Sequence, residues 1–171
     1  MSFRRFLRPE AVQLSLKTRA APEGDLPEGF DLLSERNLDR VRDEVIEELC
    51  DLFDATGEVV NRGRLFRDLQ NREKKAGTAI GGGIALPHVR TLQVREFVMC
   101  FARSCEGLPL RAPDGEAVQL FFGMVAPPYE DRTYLRVYKT LAQVLLDSER
   151  VAEFLDAEEP SEILRLLEMF R

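Results

Sequence analysis

The stretch Phe97–Ala102 constrains the fold of this chain most, because its residues are apolar at consecutive positions. A strand with one solvent-facing side alternates apolar and polar residues, whereas a strand covered on both faces is apolar throughout. Further along, a turn at Pro113–Gly115 joins Leu108–Arg111 to a second apolar strand over Val118–Val125, which is typical of a hairpin. The sequence therefore predicts a sheet that contains a hairpin and has other elements packed on both faces.

Five helices are predicted from apolar residues that recur at helical spacing, and they interleave with the strands. The first ends near Gly57, the second ends at Gly77, and the third carries Tyr134 in its first turn. Alternating residues over Val12–Leu16 predict a further strand. We expect an α/β (α+β) fold, a single domain with a mixed, roughly five-stranded sheet flanked by helices on its faces. The predicted helix N-caps are Asn37, Asn61, Ser148 and Ser161.

The segment 18–36 is predicted to be a loop, because two prolines, two glycines and three acidic residues occur within positions 22–29. The 171 residues are enough for one domain with a substantial core. We therefore expect one domain over residues 1–171, in which 18–36 is a solvated loop.

The charge balance is acidic, with 30 Asp and Glu residues against 24 Lys and Arg residues and a formal net charge of −6. Domains that bind nucleic acid through phosphate contacts are basic, so this balance argues against a general nucleic-acid binder. No apolar run is long enough to span a bilayer, and none follows the basic start of the chain as in a signal peptide. We expect a cytoplasmic protein without membrane insertion.

The three cysteines, Cys50, Cys100 and Cys105, have neither Cys-x-x-Cys spacing nor a histidine cluster beside them. This odd number and this spacing argue against a disulfide framework and a zinc site, so we expect no metal. Cys100 lies in the apolar stretch and is interpreted as a small core residue. Cys105 precedes a turn and is the candidate for a reactive thiol.

His88 is the only histidine of the chain, and it follows a proline and the glycines Gly81, Gly82 and Gly83. Its imidazole can act as a nucleophile or a proton carrier near neutral pH. Arg72 lies sixteen residues earlier, and an arginine, an imidazole and the N–H groups of a glycine loop can together hold a phosphoryl group. Each part also has a structural interpretation: a core or exposed histidine, a tight turn, and a helix-terminal arginine that complements the dipole. The spacing alone does not decide between them.

The wider segment 72–88 reads REKKAGTAIGGGIALPH, and it resembles the active-site segment of enzyme IIA domains of the fructose/mannitol type in the bacterial phosphoenolpyruvate phosphotransferase system. The nitrogen-regulatory IIA proteins belong to the same family. The segment 106–118, EGLPLRAPDGEAV, is similar to the family's hairpin, and a strand that ends at Pro127-Pro128 before a helix agrees with its pattern. The resemblance covers residues 6–170, and it makes 18–36 a loop insertion relative to the family.

The resemblance implies that His88 accepts a phosphoryl group from phospho-HPr and passes it on. It also implies that Arg72 helps to hold the phosphoryl group and that Thr78 lies near the site. In one position the chain departs from the family, because Tyr134 stands where the family carries a second histidine. A tyrosine hydroxyl donates a hydrogen bond but does not carry the positive charge of an imidazolium. The departure favours a regulatory member over a high-flux transport component.

Three hypotheses follow for the function. In the first, the protein is a phosphotransferase without cofactor: His88 attacks a phosphohistidine of an HPr-like carrier, and Arg72 and the amides of Gly81–Gly83 stabilise the phosphoryl oxygens. It then serves nitrogen-type regulation or, alternatively, fructose/mannitol-type sugar uptake, with an enzyme IIB or a regulated protein as the next partner. In the second, it is a regulatory binding module whose phosphoryl site is degenerate or serves only as a phosphorylation switch. An unrelated phosphate-binding enzyme is disfavoured, because the glycines match neither the P-loop nor the dinucleotide fingerprint.

Overall fold

A mixed sheet forms the centre of the computed structural model, which describes residues 2–169. Met1, Phe170 and Arg171, which belong to the predicted domain 1–171, lie outside the described residues. The described strands are β1 (Leu7–Gln13), β2 (Ala79–Gly81), β3 (Ile84–Ala85), β4 (His88–Arg90), β5 (Val98–Leu108) and β6 (Val118–Ala126). The described helices are α1 (Glu35–Asp54), α2 (Arg62–Lys75), α3 (Asp131–Val144), α4 (Ser148–Asp156) and α5 (Pro160–Glu168).

The antiparallel hairpin of β5 and β6 is the middle of this sheet. β1 pairs in parallel with the outer edge of β5, and β3 and β4 pair in parallel, one after the other, with the outer edge of β6. β2 pairs antiparallel with β3, so the strand order is β1-β5-β6-β3-β2. The mixed sheet and its hairpin are therefore confirmed, and the sheet has six strands rather than roughly five among the described residues.

The sixth strand arises because the chain leaves the sheet briefly at Leu86 and Pro87. The Leu86 N–H donates to the carbonyl of Thr78, with nitrogen and oxygen 3.0 Å apart, and Pro87 has no N–H to give. The Pro87 carbonyl still accepts from the N–H of Met124 at 2.9 Å, and His88 then pairs with Met124. One extended segment is thus divided into β3 and β4, and His88 is the first residue of β4.

Helices cover both faces of the hairpin, as its continuous apolar character predicts. On one face, Phe53 of α1 packs against Gly123. The packing is so close that a Cβ added to Gly123 would lie 2.9 Å from the Phe53 ring and 2.5 Å from the Cys100 sulfur. On the other face, Phe154 of α4 packs edge-on against Phe122, with ring centroids 5.2 Å apart. Because successive strand residues point to opposite faces, Phe122 and Gly123 place α4 and α1 on opposite sides of the sheet.

The first strand begins earlier than the alternation over Val12–Leu16 predicts. β1 spans Leu7–Gln13, and its buried residues are Leu7 and Ala11. Its register with β5 shifts between Leu7 and Val12, and such an irregularity breaks the two-residue period by which a strand is recognised in the sequence. The predicted bounds of this strand are therefore wrong.

The predicted cap of α1 is also wrong, because Ser34 rather than Asn37 caps this helix. The Ser34 hydroxyl accepts the N–H of Asn37, as N-cap side chains do. Asn37 lies inside the first turn and is buried, and its side-chain amide donates to the carbonyls of Ala20 and Leu32. Asn37 therefore links the preceding loop to the helix and does not cap the helix N-terminus.

Three of the other four helices begin with a side-chain oxygen acceptor or a proline at the first turn, whereas the Glu130 side chain makes no cap hydrogen bond at the start of α3. Asn61 caps α2, as predicted. α4 is capped by Asp147 rather than Ser148, and the Asp147 carboxylate accepts a first-turn N–H. α5 is preceded by Glu159 rather than capped at Ser161, because a proline with its fixed φ occupies the first helical position.

Between β1 and α1, residues 14–34 form turns and coil. Glu48 of α1 holds the start of this segment, since its carboxylate accepts the backbone N–H groups of Lys17 and Thr18 and the hydroxyl of Thr18. That 18–36 is an insertion relative to the family stays a prediction.

Candidate functional site

His88 is held in one orientation by its own neighbouring backbone. The imidazole Nδ1 lies 2.6 Å from the carbonyl oxygen of Leu86. A carbonyl oxygen only accepts hydrogen bonds, so Nδ1 carries the proton in the neutral ring. The lone pair is then on Nε2, which is the nitrogen available to a reacting partner.

Arg72 reaches this second nitrogen from the last turn of α2. Its Nη2 lies 3.3 Å from His88 Nε2, and its Nη1 donates to the carbonyl of Ala76 at 2.7 Å. The second contact restricts the side chain, and it also satisfies a carbonyl at the helix end, where basic groups are favourable. The sequence prediction that Arg72 and His88 come together is supported by this geometry.

Aromatic side chains of α3 form the wall beside the imidazole. The ring centroids of Tyr134 and Tyr138 lie 5.6 and 5.3 Å from that of His88. The guanidinium carbon of Arg90 lies 5.5 Å from the centroid of the Tyr134 ring, within reach of a cation–π contact. Arg90 Nη1 also donates to Asp131 Oδ1 at 2.6 Å, and this ion pair restricts the guanidinium.

These side chains surround an open depression of about 480 Å³. Burial lowers the pKa of the His88 imidazole below its usual range, the hydrogen bond to Leu86 opposes this shift, and the charges of Arg72 and Arg90 add to the lowering. The ring is therefore neutral and nucleophilic at neutral pH, with two guanidinium groups beside it. The two guanidinium groups can therefore hold an anionic group close to the Nε2 lone pair.

Tyr134 is 6% exposed, and burial raises the pKa of its phenol while Arg90 and Arg72 oppose the shift. The side chain therefore stays neutral at physiological pH. The positive charge at this wall comes from Arg90. Sequence reasoning missed Arg90 and Tyr138, although their spacing gave a signal: Arg90 is two residues from His88 on one strand, and Tyr138 is four residues from Tyr134 on one helix.

Thr78 lies behind the site rather than in the depression. It is 5% exposed, its hydroxyl donates to Glu73 Oε1, and its N–H donates to Glu73 Oε2 at 3.1 Å. Its carbonyl accepts from Leu86, whose own carbonyl orients His88. Burial raises the pKa of the Glu73 carboxyl, and the two hydrogen bonds from Thr78 oppose that shift. Thr78 can thus affect His88 only by positioning Leu86.

The glycine turn does not share the depression with His88. Gly81, Gly82 and Gly83 all have positive φ, and the N–H of Gly82 donates to Asp114 Oδ2 at 2.8 Å. The turn precedes β3, which starts opposite Leu120, whereas His88 pairs with Met124. Four residues of strand separate the two points, or about 13 Å. The structure does not bring these amides to the imidazole.

The residues that the structure describes contain neither a cluster of metal-ligating side chains nor a membrane-spanning helix. Within residues 2–169, no group of three or more histidine, cysteine or acidic side chains is placed to hold a metal ion. Across the same residues, no helix combines the length and apolar content needed to cross a bilayer. Cys50 and Cys100 are buried, which confirms the core interpretation of Cys100, and burial raises the pKa of the Cys50 thiol to about 12. Cys105 is exposed.

The fold and the site define a mixed α/β domain that presents a neutral, half-buried histidine and guanidinium groups to an anionic group. Three comparisons with known proteins agree with this class. A sequence model described as "Phosphoenolpyruvate-dependent sugar phosphotransferase system, EIIA 2" matches residues 35–169. The chain therefore belongs to the EIIA type 2 family of phosphoryl carriers.

Relatives support the same family. The chain is 30% identical to the fructose-specific EIIA component of Haloferax volcanii over 129 residues, which cover 75% of this chain and 84% of that protein. It is 29% identical to the fructose-specific EIIABC component of Bacillus subtilis over 126 residues, which cover 74% of this chain but 20% of that protein. The nitrogen regulatory protein IIA-Ntr of Neisseria meningitidis has the same fold, with a TM-score of 0.75 at 22% identity over 95% of this chain and 97% of that one.

Proposed function

We propose that Nε2 of His88 accepts a phosphoryl group from the phosphohistidine of a small HPr-like carrier protein and then gives it up. The observation that carries this proposal is the orientation of His88: the Leu86 carbonyl holds Nδ1, and the Nε2 lone pair faces an open depression, where it accepts a 3.3 Å hydrogen bond from Arg72 that a phosphoryl group would replace. The Nε2 lone pair forms the new N–P bond as the P–N bond of the donor breaks, and the donor nitrogen takes back its electron pair. Such a transfer asks the protein mainly for positioning and charge stabilisation.

Each neighbouring group has a part in this transfer. Arg72 and Arg90 stabilise the negative charge of the phosphoryl oxygens. As the N–P bond forms, positive charge develops on the imidazole, and the Leu86 carbonyl that accepts the Nδ1 proton stabilises it. Thr78 holds the Leu86 segment, and the amides of Gly81–Gly83 make no direct contact with the phosphoryl group.

By its resemblance to the family, the chain has Tyr134 at the position of a second histidine, and the Tyr134 ring lies beside His88. A neutral phenol supplies no positive charge, so transfer depends more strongly on Arg90, which lies over the Tyr134 ring. We infer that phosphoryl acceptance persists and that its rate is sensitive to the Arg90–Tyr134 contact.

The carrier is expected to dock on the surface around the depression. Leu135 is 60% exposed at its edge and offers an apolar contact. Next to it, Arg5, Arg132 and Arg136 line a hollow of about 450 Å³. This local positive charge in an otherwise acidic protein favours a partner whose docking face carries acidic residues.

A regulatory use of the same chemistry is favoured by the arginines around His88. A phosphoryl group adds negative charge and acceptor oxygens in the middle of this surface, which changes what it can bind. We propose a cytoplasmic, nitrogen-type regulator that binds its target protein in one phosphorylation state. The alternative is the EIIA component of a fructose- or mannitol-type uptake system, which passes the group to an enzyme IIB.

The experiment that tests the proposal is phosphoryl transfer from phosphoenolpyruvate through enzyme I and HPr, read by intact mass. We expect the gain of one phosphoryl group that is lost in acid, and no gain in the His88→Gln variant. No gain in a folded protein mixed with phosphorylated HPr would contradict the proposal. Capture of a partner by the phosphorylated or the unmodified form alone would separate regulation from sugar transport.

A further inference from the structure

A second cavity lies beside the end of α2, and its lining shares no residue with that of the depression at His88. It has a volume of about 400 Å³, within the range of roughly 300–1,000 Å³ that small-molecule sites occupy. Its walls come from α1, from the segment 73–79 and from the sheet. None of the side chains proposed to hold the phosphoryl group lines it.

The inner wall of this cavity is apolar. Val45 and Ile46 of α1, Ala85 of β3 and Phe121 of β6 line it, and all four are buried in the core. A ligand whose apolar body enters the cavity would remove its own surface from water against this wall. This wall therefore suits a hydrocarbon or aromatic group.

The lining charges are mostly positive. Arg42 and Arg111 line the cavity together with the exposed Lys74 and Lys75, and Glu73 is the one carboxylate of the lining. Arg42 and Arg111 are already paired with acidic residues of α1. Lys74 and Lys75 have no ion-pair partner within residues 2–169, and the Glu73 carboxylate is occupied by Thr78. Two unpaired ammonium groups at an apolar cavity select for an anion, in a protein whose net charge is −6.

We propose that this cavity is a binding site for a small organic anion, a molecule with an apolar body and one anionic group at its end. The body lies against Val45, Ile46 and Phe121, and the anionic group meets Lys74 and Lys75. The site shares the segment from Glu73 to Thr78 with the backbone that orients His88 through Leu86, so an occupant contacts the support of the imidazole. The proposal does not depend on phosphoryl transfer.

The test uses 1-naphthylacetate as the probe and its uncharged amide, 1-naphthylacetamide, as the matched neutral compound. Two-dimensional amide NMR of the full chain follows the titration. We expect saturable shifts centred on Gly77, Thr78 and Ala85, and binding of the acetamide weaker by about tenfold because it lacks the charge. Equal affinity for the two probes, or no saturable shift at these amides, would overturn the proposal. Inorganic phosphate is the third probe, and its binding at the same amides with equal affinity would show that no apolar body is needed.

The variant pair separates the site from general surface charge. The Lys74→Glu/Lys75→Glu variant is expected to bind 1-naphthylacetate with an affinity lower by about tenfold or more. Lys17→Glu/Lys139→Glu changes the other two lysines of the chain by the same charge and is expected to leave the affinity unchanged. Ala79→Leu, which places a larger side chain on the cavity lining, is expected to abolish binding while the amide spectrum stays dispersed. Full affinity in the Lys74→Glu/Lys75→Glu protein would overturn the proposed contact.

Discussion

The hydrogen bond between His88 Nδ1 and the Leu86 carbonyl, together with the nearby guanidinium groups, determines how this single histidine titrates. Because burial and the charges of Arg72 and Arg90 lower the pKa of His88, we expect an NMR titration of its ring to give a value below about 6.5. Arg72→Ala removes one positive charge and should raise that pKa. Arg67→Ala, an exposed arginine of the same helix, is the control and should leave it unchanged.

The lowered pKa of His88 also makes the free energy of unfolding depend on pH. At pH values between the pKa of His88 in the folded protein and about 6.5, its pKa in the unfolded chain, the unfolded chain binds the proton and the folded protein does not. The stability that neutral His88 contributes is therefore present above about pH 6.5 and is lost as the pH falls through the folded pKa. Urea unfolding of the wild type and of His88→Gln at several pH values measures this difference. A wild-type stability that rises relative to the variant on acidification would contradict the direction of the shift.

Tyr134 acts through its ring and its contact with Arg90. Tyr134→Phe keeps the ring that lies 5.6 Å from His88 and should retain most of the phosphoryl transfer rate. Tyr134→Ala and Arg90→Ala remove one partner of the cation–π contact and should slow transfer by about tenfold or more. Rates come from quenched-flow mass spectrometry with phosphorylated HPr. A Tyr134→Phe protein as slow as Tyr134→Ala would instead assign the role to the hydroxyl.

At the scale of elements, the end of α2 is fixed to the strands through Thr78. Thr78→Val removes the hydroxyl that bonds to Glu73 and leaves a half-buried carboxylate with one hydrogen bond fewer, at a cost of about 1 kcal/mol in unfolding free energy. Thr78→Ser keeps the hydroxyl, so its free energy of unfolding should fall much less. Denaturant unfolding compares the three proteins. If Thr78 also positioned His88 strongly, the Val variant would shift the His88 ring signals while the Ser variant would not.

The glycine turn between β2 and β3 serves the sheet rather than the imidazole. Gly82 has a φ of +64° and open space around it, so Gly82→Ala meets backbone strain but no clash. We expect a loss of about 1 kcal/mol in stability and an unchanged phosphoryl transfer rate, because the turn is about 13 Å of strand away from His88. Unfolding and transfer assays measure the two effects. A large loss of transfer in a stable Gly82→Ala protein would restore the phosphate-loop interpretation.

How far the sequence predicts each element depends on how local its signals are. The continuous apolar run predicted the central strand and its covering helices, and Asn61 was found from its side-chain chemistry alone. The cap at Ser34 was missed because Asn37, three residues later, is an equally good cap residue whose tertiary role in binding Ala20 and Leu32 is invisible in the sequence. The bounds of β1 were missed because its bulge breaks the periodicity.

The candidate site shows the same limit. The sequence predicts that Arg72 and His88 share one site, and the structure places them in contact. The distance between the glycine turn and His88 depends instead on the register of β3 and β4 along β6, which only the folded sheet defines. Arg90 was overlooked because a lone arginine on a short strand looks like an ordinary exposed residue. Its position over Tyr134 requires α3 to pack beside β4.

At the scale of the whole molecule, charge is distributed unevenly, and this makes partner docking testable. The chain has a net charge of −6, yet Arg132 and Arg136 lie exposed on α3 beside the His88 depression. If an acidic face of the carrier docks here, association should fall steeply with salt, because exposed charges are screened over about 10 Å at 0.1 M ionic strength.

Charge reversal tests this docking surface directly. Arg132→Glu/Arg136→Glu should lower the second-order rate of phosphoryl transfer from the carrier by about tenfold at low salt and flatten its salt dependence. Lys17→Glu/Arg36→Glu makes the same charge change near the far end of the sheet, where Leu16 meets Arg103, and should alter the rate little. The reversed pair lies outside the depression lining, so its single-turnover rate at saturating carrier should stay near wild type. A rate that drops equally in both double variants would mean that net charge, and not this surface, governs the encounter.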